Sequence, residues 1–572
     1  MASMYSFKKE PAMFDPERFE RELFDSTDEE RTFIAELRAY FLDSRLKPIS
    51  NEDIYSNKFS EDAYRRAFKA AQEAGICGFN IPQEYGGLGL SSKLAAMLIE
   101  EMCAVDGGIG LSIGASSSLV AVPVMLFGTQ EQKRRWLPLI AKGEVIGCYC
   151  QTESDAGSDV ASIKTRAVQR EDGVWVINGE KQFITNGAYA HLAVVVARTS
   201  TFEGNPHKGI SVFLVDLERA KKQGQFSVLR EAERKAGLHA SPTSAVAFID
   251  CTADDVLGSI DEGWKILMAT LASSRATAIG SQGVGIAKGA WRIADAYARQ
   301  RVQFKQPLSN FPDVQWEMLS VESAIDAAHL LVIRSALLRD YFSQSDPRDS
   351  RPWQMEASVT KLYGSELASE ATSSAMQVLG GFGYMMESGV PKFWHDGRVV
   401  SIYEGTSGVQ RLVIGREIIA RALKHFSSKS EFVRWKLTKK WVLSNHDEEN
   451  AFWGRMNYVG KDERVMLKEF MLIRKRFIGC FQEVLSHNSP KRDSSSLPLA
   501  WRFIVEAFVA CEAAKMLLWQ LVYHRERHPH AAPFRAHASW GVYRAKVAVF
   551  ALEAARDCDS ELEAACGFVG SD

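Results

Sequence analysis

The sequence predicts a mainly α-helical protein with a central β domain. Apolar residues recur every three to four positions from about residue 15 to 144 and again from about 263 to 423, which is the period of an amphipathic helix. Between these regions lie short runs rich in β-branched residues, which are typical of strands. A chain of 572 residues is too long for one hydrophobic core, so we expect several domains.

The first domain is predicted to be helical and to span residues 1–144. The segment "DEERTFIAELRAYFLDSRLKP" has a helical pattern that we expect to stop at Pro48, because proline disfavours a helix interior. Two more helices are indicated by "EDAYRRAFKAAQEAGI" and by "SSKLAAMLIEEMCAVD", which opens with serines suited to capping.

The second domain, residues 145–258, is predicted to be a small β domain. Its strands are indicated by "HLAVVVARTS", "GISVFLVDL" and "SAVAFID". Asp172-Gly173 predicts a turn, and Asn178-Gly179 between two strand-like runs predicts a two-residue hairpin.

Residues 259–425 are predicted to form a helical bundle, and residues 426–572 a separate α-helical extension. The bundle opens with "MATLASSRATAIGSQGVGIAKGAWRIADAYARQRVQF", which indicates a long helix or a helix pair. The extension contains an amphipathic segment, "FIVEAFVACEAAKMLLWQLVY". We favour packing of this helix on the protein or on a partner subunit, and keep contact with a membrane surface as the alternative.

Composition narrows the classes of function. The formal net charge is −2 and charged residues make up 24%, so no strong field points to nucleic acid, and we expect no nucleic-acid partner. The nine cysteines are scattered without the spacing of a zinc site, so we expect no metal and reduced thiols. The N-terminus lacks the apolar core of a signal peptide, and we expect a cytoplasmic protein.

The stretch "SIYEGTSGVQRL" places Glu404 just before a predicted helix. Ser407 and Gln410 match a capping box, and an apolar helical face follows. The carboxylate of Glu404 then has two interpretations. It is either an acidic group favoured by the helix dipole or a general base whose pKa is raised by burial. Spacing alone favours the first interpretation.

Three further segments carry glycines or hydroxyls that invite a functional interpretation. "GVGIAKG" at 283–289 fits a dinucleotide-binding loop poorly and follows a helical pattern, so we reject that assignment. "QVLGGFGY" at 377–384 is either a helix stop or a place where the backbone approaches a flat cofactor. "CYCQTESDAGSDV" at 148–160 is a polar turn after an apolar strand, and a plain surface loop is equally consistent with it.

Taken together, these pieces resemble the acyl-CoA dehydrogenase family. "YCQTESDAGSD" is similar to its T-E-P-x-A-G-S-D signature, "KQFITNG" to its W-I-T-N-G hairpin and "RVQFKQPL" to its R-x-x-F-G-x-x-L segment. "QVLGGFGY" and "IYEGTS" are similar to its two C-terminal signatures, and all motifs occur in family order. The resemblance implies an N-terminal helical domain, a β-barrel-like middle domain and a C-terminal four-helix bundle. The helical extension resembles the layout of the very-long-chain branch.

The resemblance implies FAD-dependent α,β-dehydrogenation of a fatty acyl-CoA to the trans-2-enoyl-CoA, as in fatty acid β-oxidation. Glu404 would remove the α-proton while the β-hydrogen leaves as hydride to the flavin. The backbone N–H of Glu404 and a flavin hydroxyl would polarise the thioester carbonyl. Some branched-chain members carry the base just before the arginine of "SSRA", but Ser274 stands there in this sequence.

The remaining site residues carry over one by one by resemblance. The substrate would be bound by Ser158, Arg275 and Gly405. The residues expected to contact FAD, some of them across a subunit interface, are Tyr149, Gln151, Thr152, Phe183, Thr185, Arg301, Phe304, Gln377, Gly380, Gly381, Thr406 and Ser407.

Several positions depart from the family pattern. Val120 and Pro123 stand where the very-long-chain branch has glycines that deepen the acyl pocket, which predicts a shorter pocket here. The other departures from the usual residues are Ser154, Phe183, Ala272, Lys305, Pro312 and His395.

The implied partners are an acyl-CoA substrate, an electron-transfer flavoprotein as electron acceptor, and further copies of the chain in a homodimer or homotetramer. Two alternatives remain: an acyl-CoA oxidase that uses oxygen, and a non-catalytic flavin-binding relative that binds DNA or acts as an assembly factor. The extension has only a mild excess of Lys and Arg, which argues against DNA binding. The retained Glu404 favours chemistry.

Overall fold

A computed structural model describes residues 15–53, 58–202, 204–425, 461–487, 499–525 and 532–566. The chain divides into two compact units. The first unit contains Thr27–Leu308 and Ser335–Thr406, and the second contains Met13–Ser26, Ser309–Arg334 and Ser407–Asp572. The predicted fold class, mainly helical with a central β domain, is confirmed; the domain boundaries after residues 144, 258 and 425 stay predictions.

Helices precede the sheet. They are α1 Pro16–Phe24, α2 Asp28–Glu36, α3 Lys47–Asp53, α4 Glu61–Glu73, α5 Ser92–Val105, α6 Gly107–Ala115, α7 Ala121–Phe127 and α8 Gln130–Ala141. The π-helical turns Leu37–Leu46 and Ser116–Val120 join α2 to α3 and α6 to α7.

The middle region consists of strands and one short helix. They are β1 Gly147–Cys150, β2 Arg166–Gln169, β3 Trp175–Thr185, β4 Leu192–Arg198, β5 Ile210–Asp216, α9 Leu217–Lys222, β6 Phe226–Arg230, β7 Thr243–Thr252 and β8 Asp255–Leu257.

Helices dominate again after the sheet. These elements are α10 Gly263–Ser274, α11 Gly280–Gln300, β9 Val302–Gln303, β10 Gln306–Pro307, α12 Pro312–Ser343, α13 Gln354–Leu379, α14 Val390–Val400, α15 Ser407–His425, α16 Lys461–His487, α17 Leu499–Arg525 and α18 Ala532–Cys566. The π-helical turn Arg275–Ile279 makes α10 and α11 one continuous helical run.

The serine cap predicted for α5 is confirmed, and Ser60 caps α4 in the same way, but the predicted stop at Pro48 is wrong. Ser60 and Ser91 accept hydrogen bonds from backbone N–H groups at the starts of α4 and α5. Helical structure continues past Pro48 to the end of α3. The π-helical turns before α3 shift the hydrogen-bond spacing, and Lys47 N–H donates to Leu42. Pro48 therefore lies where the π-helical segment changes to α-helix, as the second residue of α3.

The strands form one eight-stranded sheet in the order β6-β7-β3-β2-β4-β5-β8, with β1 paired to β4. Pairing is antiparallel except that β1 and β2 run parallel to β4. Side chains alternate across each strand, so neighbouring residues enter different cores. On β1, Cys148 and Cys150 join one core, and Tyr149 packs against the other, which also contains residues of α7, α8 and α10.

The turn predicted at Asp172-Gly173 is confirmed, but the hairpin predicted at Asn178-Gly179 is wrong. Gly173 has φ +83° in the turn between β2 and β3. Asn178 and Gly179 lie inside β3, next to a register shift against β7. The Asn178 side chain pairs with Asp250 on β7, and a Cβ at Gly179 would lie 2.5 Å from the Thr165 hydroxyl. Tertiary contacts therefore explain this Asn-Gly pair.

The segment "GVGIAKG" lies inside α11, so its rejection as a nucleotide loop is confirmed. Its glycines serve close helix packing. A Cβ at Gly283 would lie 2.2 Å from the Gly364 carbonyl on α13, and one at Gly285 would lie 2.3 Å from the Glu100 carbonyl on α5. Any larger residue at these positions would force the helices apart.

Gly107–Phe127 is long and apolar enough to cross a membrane by composition, but 78% of its most apolar window is buried in the protein. This burial is typical of a core helix. In the described part of the chain, no group of three or more His, Cys, Asp or Glu side chains is arranged to hold a metal ion.

A buried ionic network fixes α14 against α6 and the sheet in the first unit. Lys392 Nζ lies 3.0 Å from Asp106 and 2.8 Å from Asp396. Asp106 also caps α6, and Asp396 accepts from the backbone N–H of Leu238 in the loop before β7. Since α14 leads directly into the turn that contains Glu404, this network positions that turn.

The second unit joins chain segments that are far apart in sequence. Trp519 Nε1 on α17 donates to Glu20 on α1 at 2.7 Å. Glu512 on α17 is fully buried and lies 2.8 Å from Arg334 and 3.1 Å from Lys515. Burial opposes its ionisation, but Lys515 and Arg334 outweigh burial and hold the pKa of Glu512 at about 2.

We predict that Glu512→Gln will destabilise the second unit by about 3–5 kcal/mol, because it removes the buried carboxylate that faces two buried cations. The native carboxylate stabilises the protein above its unfolded-state pKa, and this contribution is lost as the pH falls from about 4.5 towards about 2. Urea unfolding of both proteins across this window measures the effect. The exposed pair Arg502–Glu506 provides a control, since Arg502→Ala should cost less than about 1 kcal/mol. A similar small loss for both variants would contradict the prediction.

Candidate active site

Glu404 lies in the turn between α14 and α15 in a left-handed backbone conformation. Its φ is +51°, and Gly405 after it has φ +89°. A non-glycine residue in this region is uncommon and persists only when its surroundings hold it. Two consecutive residues do so: Arg275 Nε donates to the Glu404 carbonyl at 3.1 Å, and Ser274 Oγ donates to Glu404 Oε1 at 2.9 Å.

Burial raises the pKa of Glu404 to about 7, against the opposing effects of the Ser274 hydrogen bond and the charges of Arg275 and Lys361. The sequence left open whether burial or the helix end dominates, and burial does. A carboxylate with this pKa is half ionised near neutral pH. It can therefore take up a proton and release it again under physiological conditions.

A narrow cavity lies beside Glu404. The polar atoms of Gln282 in its wall are engaged with protein groups, because Gln282 accepts from Tyr403 and donates to the Gly107 carbonyl at 3.1 Å. The interior is therefore suited to an apolar chain. The other lining residues are Ile99, Cys103, Gly110, Leu111, Gly114, Ala115, Ser118, Leu119, Ser274, Ala278 and Ile279.

Strand β1 and the loop after it bring three of the predicted flavin residues together. Tyr149 lies close enough to Glu404 for the carboxylate to contribute, after burial, to a raised pKa of its hydroxyl. The Tyr149 hydroxyl and Gln151 Oε1 are buried without a hydrogen-bond partner from the protein. Thr152 follows, and its carbonyl accepts from Gln182 N at 2.9 Å. Such orphaned polar groups indicate a missing ligand.

A buried ion pair holds this loop against β3. Lys181 Nζ lies 2.8 Å from Glu153 Oε1 and donates to the Gln151 carbonyl at 3.0 Å. Glu153 also accepts from the backbone N–H groups of Lys164 and Thr165. The geometry of Gln151 and Thr152 is therefore fixed relative to the strand that carries Phe183 and Thr185.

Phe183 presents an exposed aromatic face. A register shift between Lys181 and Ile184 on β3 coincides with φ +60° at Phe183, and its side chain is 62% exposed. A bulky residue with positive φ is a genuine outlier, and a bulge is a common way to redirect a side chain beside a functional site. Thr185, two residues on, is half-buried.

A second group of predicted residues lies at the ends of α11 and α13. Arg301 and Phe304 belong to the turn after α11, where Phe304 has φ +47° and is 89% exposed. Gln377, Gly380 and Gly381 are exposed at the end of α13, which confirms the helix stop. A Cβ at either glycine would meet no atom within 4 Å, so the backbone there is open to a flat ligand.

The residues present fit FAD. Orphaned buried polar groups at Tyr149 and Gln151, an exposed aromatic face at Phe183 and open glycine backbone are what a planar, hydrogen-bonding ring system requires. The exposure of Phe304 agrees with the expectation that some contacts come across a subunit interface.

The other predicted site residues lie as follows. Ser158 is exposed in the loop after β1, and Gly405 and Thr406 are half-buried beside Glu404 in sequence. Ser407 is buried and begins α15. Arg275 is 7% exposed, and its guanidinium contacts the Glu404 backbone. The assigned roles of these residues stay predictions.

Three residues around Glu404 were not predicted from the sequence as contributors to the site. Ser274 was considered only as a position without a rival base, yet it donates to Glu404. Lys361 is fully buried on α13, and its charge affects Glu404. Gln282 lies in the cavity wall. A lysine within an otherwise buried helix is a signal that could have identified Lys361.

We predict that the stability difference between Glu404→Gln and the native protein will depend on pH. A folded-state pKa of about 7 against an unfolded value of about 4.5 makes the native fold less stable as the pH rises through this window. Glutamine does not titrate, so the variant should gain about 3 kcal/mol relative to the native protein from about pH 4 to about pH 8. Urea unfolding at both pH values measures this. Parallel pH profiles would contradict a raised pKa.

The sequence matches descriptions of the acyl-CoA dehydrogenase N-terminal domain over residues 27–144, middle domain over 148–251 and C-terminal domain over 261–419. Among curated relatives, the chain is 34% identical over 391 residues to a short-chain specific acyl-CoA dehydrogenase from Clostridium acetobutylicum, covering 68% of this chain and 98% of the relative. It is 32% identical over 394 residues to a 3-(aryl)acrylate reductase from Clostridium sporogenes, covering 68% and 99%.

A solved acyl-CoA dehydrogenase from Bacillus anthracis, complexed with FAD, matches with a TM-score of 0.75 and 24% identity. This match covers 94% of the present chain and 91% of the other, so the likeness of fold includes helices beyond residue 425. The three matched domains and the Clostridium relatives lead to one conclusion: the chain belongs to the acyl-CoA dehydrogenase family of FAD-dependent oxidoreductases.

Proposed function

We propose that the protein dehydrogenates an acyl-CoA thioester between its α and β carbons, with Glu404 as the catalytic base. The observation that carries this proposal is a buried carboxylate with a pKa of about 7 at the wall of an apolar cavity. A base for a carbon-bound proton needs a raised pKa and a site that excludes water. Both conditions hold at Glu404.

The chain supplies binding, orientation and proton transfer. The acyl chain enters the cavity, which brings the α-carbon beside the Glu404 carboxylate. The backbone N–H of Glu404 donates to the thioester carbonyl and so makes the α-proton more acidic. Bound FAD supplies the acceptor for the β-hydrogen as hydride. Glu404 is protonated at the end of the reaction and then returns its proton to solvent.

The groups predicted to hold FAD fall into two sets with different roles. Tyr149, Gln151 and Thr152 provide hydrogen-bonding groups and Phe183 provides a face for the ring, all held by the Glu153–Lys181 pair. Arg301 and Gln377 provide polar contacts that we expect a second subunit to complete. A homodimer or homotetramer is therefore part of this proposal.

We propose a short to medium acyl chain as the substrate. The cavity beside Glu404 is narrow and its lining is mainly small or apolar, so it leaves little room for a long chain. Val120 is fully buried and packs against Gly147, where a Cβ would lie 2.7 Å from its methyl carbons. Val120 follows Leu119, which lines the cavity, so this tight packing supports the shorter pocket predicted from the sequence. The short-chain specificity of the Clostridium relative supports the same choice, although the extension resembles the very-long-chain layout.

We place the reaction in fatty acid β-oxidation with an electron-transfer flavoprotein as acceptor, by resemblance to the family. Oxygen as acceptor, which would make the protein an oxidase, is the first alternative. One relative reduces an aryl acrylate, and the same base and cavity can serve the reverse reaction. Anaerobic reduction followed by addition of air, an electron-transfer flavoprotein or an enoyl thioester distinguishes the three.

Glu404→Gln should reduce the rate of FAD reduction by acyl-CoA at least about a hundredfold, because it removes the general base. The variant should keep its FAD, since glutamine has nearly the same shape. Anaerobic stopped-flow bleaching of the flavin measures the rate, and Glu387→Gln, an exposed glutamate before α14, is the matched control. Normal bleaching in Glu404→Gln would exclude this residue as the base.

Acyl-CoAs of about four to eight carbons should bleach the flavin faster than those of about fourteen to sixteen, because the cavity is small. Gly114→Val should shift the preference to still shorter chains. Gly114 lines the cavity, and a Cβ there meets no atom within 4 Å, so a side chain at this position can begin without a clash and take up substrate space. Competition between chain lengths measures the preference. An unchanged profile in the variant would show that the chain lies elsewhere.

A further inference from the structure

The hydroxyl of Ser274 lies within hydrogen-bond distance of the carboxylate of Glu404, the proposed base. It is the last residue of α10, is 1% exposed, and donates from Oγ to Glu404 Oε1 at 2.9 Å. The next residue, Arg275, donates to the carbonyl of the same glutamate. One helical turn therefore holds both the side chain and the backbone of Glu404.

We propose that Ser274 is a positioning residue that fixes one oxygen of the Glu404 carboxylate and favours its ionised, proton-accepting form. This inference rests on the proposed function of Glu404. A hydroxyl that donates to a carboxylate stabilises the charged form more than the protonated form. At the position where some family members carry the base itself, this chain instead carries a hydrogen-bond donor to the base.

Among the groups around Glu404, Ser274 opposes the effect of burial on the Glu404 pKa most strongly. Burial raises the pKa of Glu404, the Ser274 hydrogen bond lowers it most strongly, and the charges of Arg275 and Lys361 follow. The other titratable groups facing the site are the neutral side chains of Tyr149 on β1, Tyr403 in the same turn and Cys103 on α5. These supply no positive charge to replace the lost hydrogen bond.

The test is the pH profile of FAD reduction by a saturating acyl-CoA, measured anaerobically on the holoenzyme from about pH 6 to about pH 9. Ser274→Ala should raise the apparent pKa of the acidic limb by about one unit. The rate should then fall about tenfold at the low end of the range and remain nearly native at the high end. Ser274→Thr, which keeps a hydroxyl, should restore the native profile.

Ser273→Ala is the matched control. Ser273 is also a buried serine at the end of α10, but the serine within hydrogen-bond distance of the Glu404 carboxylate is Ser274. Its profile should equal that of the native protein. A second readout is independent of turnover: the infrared band of the protonated Glu404 carboxyl, assigned by its absence in Glu404→Gln, should persist to higher pH in Ser274→Ala.

Two outcomes would overturn the inference. One is a Ser274→Ala profile and carboxyl titration that coincide with the native ones. The other is an equal loss of rate at every pH that Ser274→Thr does not rescue, which would indicate a purely structural serine. Failure of the proposed function would give a different result from failure of this inference. Acyl-CoA would then reduce the flavin of Glu404→Gln at the native rate. If Glu404→Gln is inactive and Ser274→Ala has the native pH profile, only the inference about Ser274 is wrong.

Discussion

The burial of one carboxylate, Glu404, is the constraint on which the rest of the site depends. An ionised carboxylate in an apolar cavity is unfavourable unless donors and cations surround it. Ser274, Arg275 and Lys361 supply these interactions from two helices, and the pKa settles at about 7. The positive φ of Glu404 is part of the same arrangement, because it lets the turn direct the side chain to the cavity wall.

Two buried ionic networks keep the surroundings of Glu404 in register. Lys181 and Glu153 join the loop after β1 to β3, and Lys392 with its aspartates joins α14 to α6 and the sheet. A buried ion pair contributes little net stability, but removing one partner is costly. We infer that the main role of both networks is to fix the positions of the segments they join. They align the predicted flavin residues and the turn of the base more sharply than apolar packing would.

Much of this was predictable from the sequence. Periodicity located the helices on both sides of the sheet, and a capping serine located the start of α5. The order of the motifs indicated the family, because those residues are required at fixed places around one cofactor. The failures share a cause. Pro48 and Asn178-Gly179 have strong local preferences, yet their tertiary neighbours decided the outcome.

The sequence by itself determined the fold class and the family, and by resemblance to that family it predicts the carboxylate of Glu404 as the base. Only the tertiary structure decided whether burial or the nearby helix end controls the pKa of that carboxylate. The reason is physical. A pKa depends on desolvation and on charges within a few ångströms, and Ser274 and Lys361 reach Glu404 from positions 130 and 43 residues earlier in the chain. No local pattern around residue 404 records those distances.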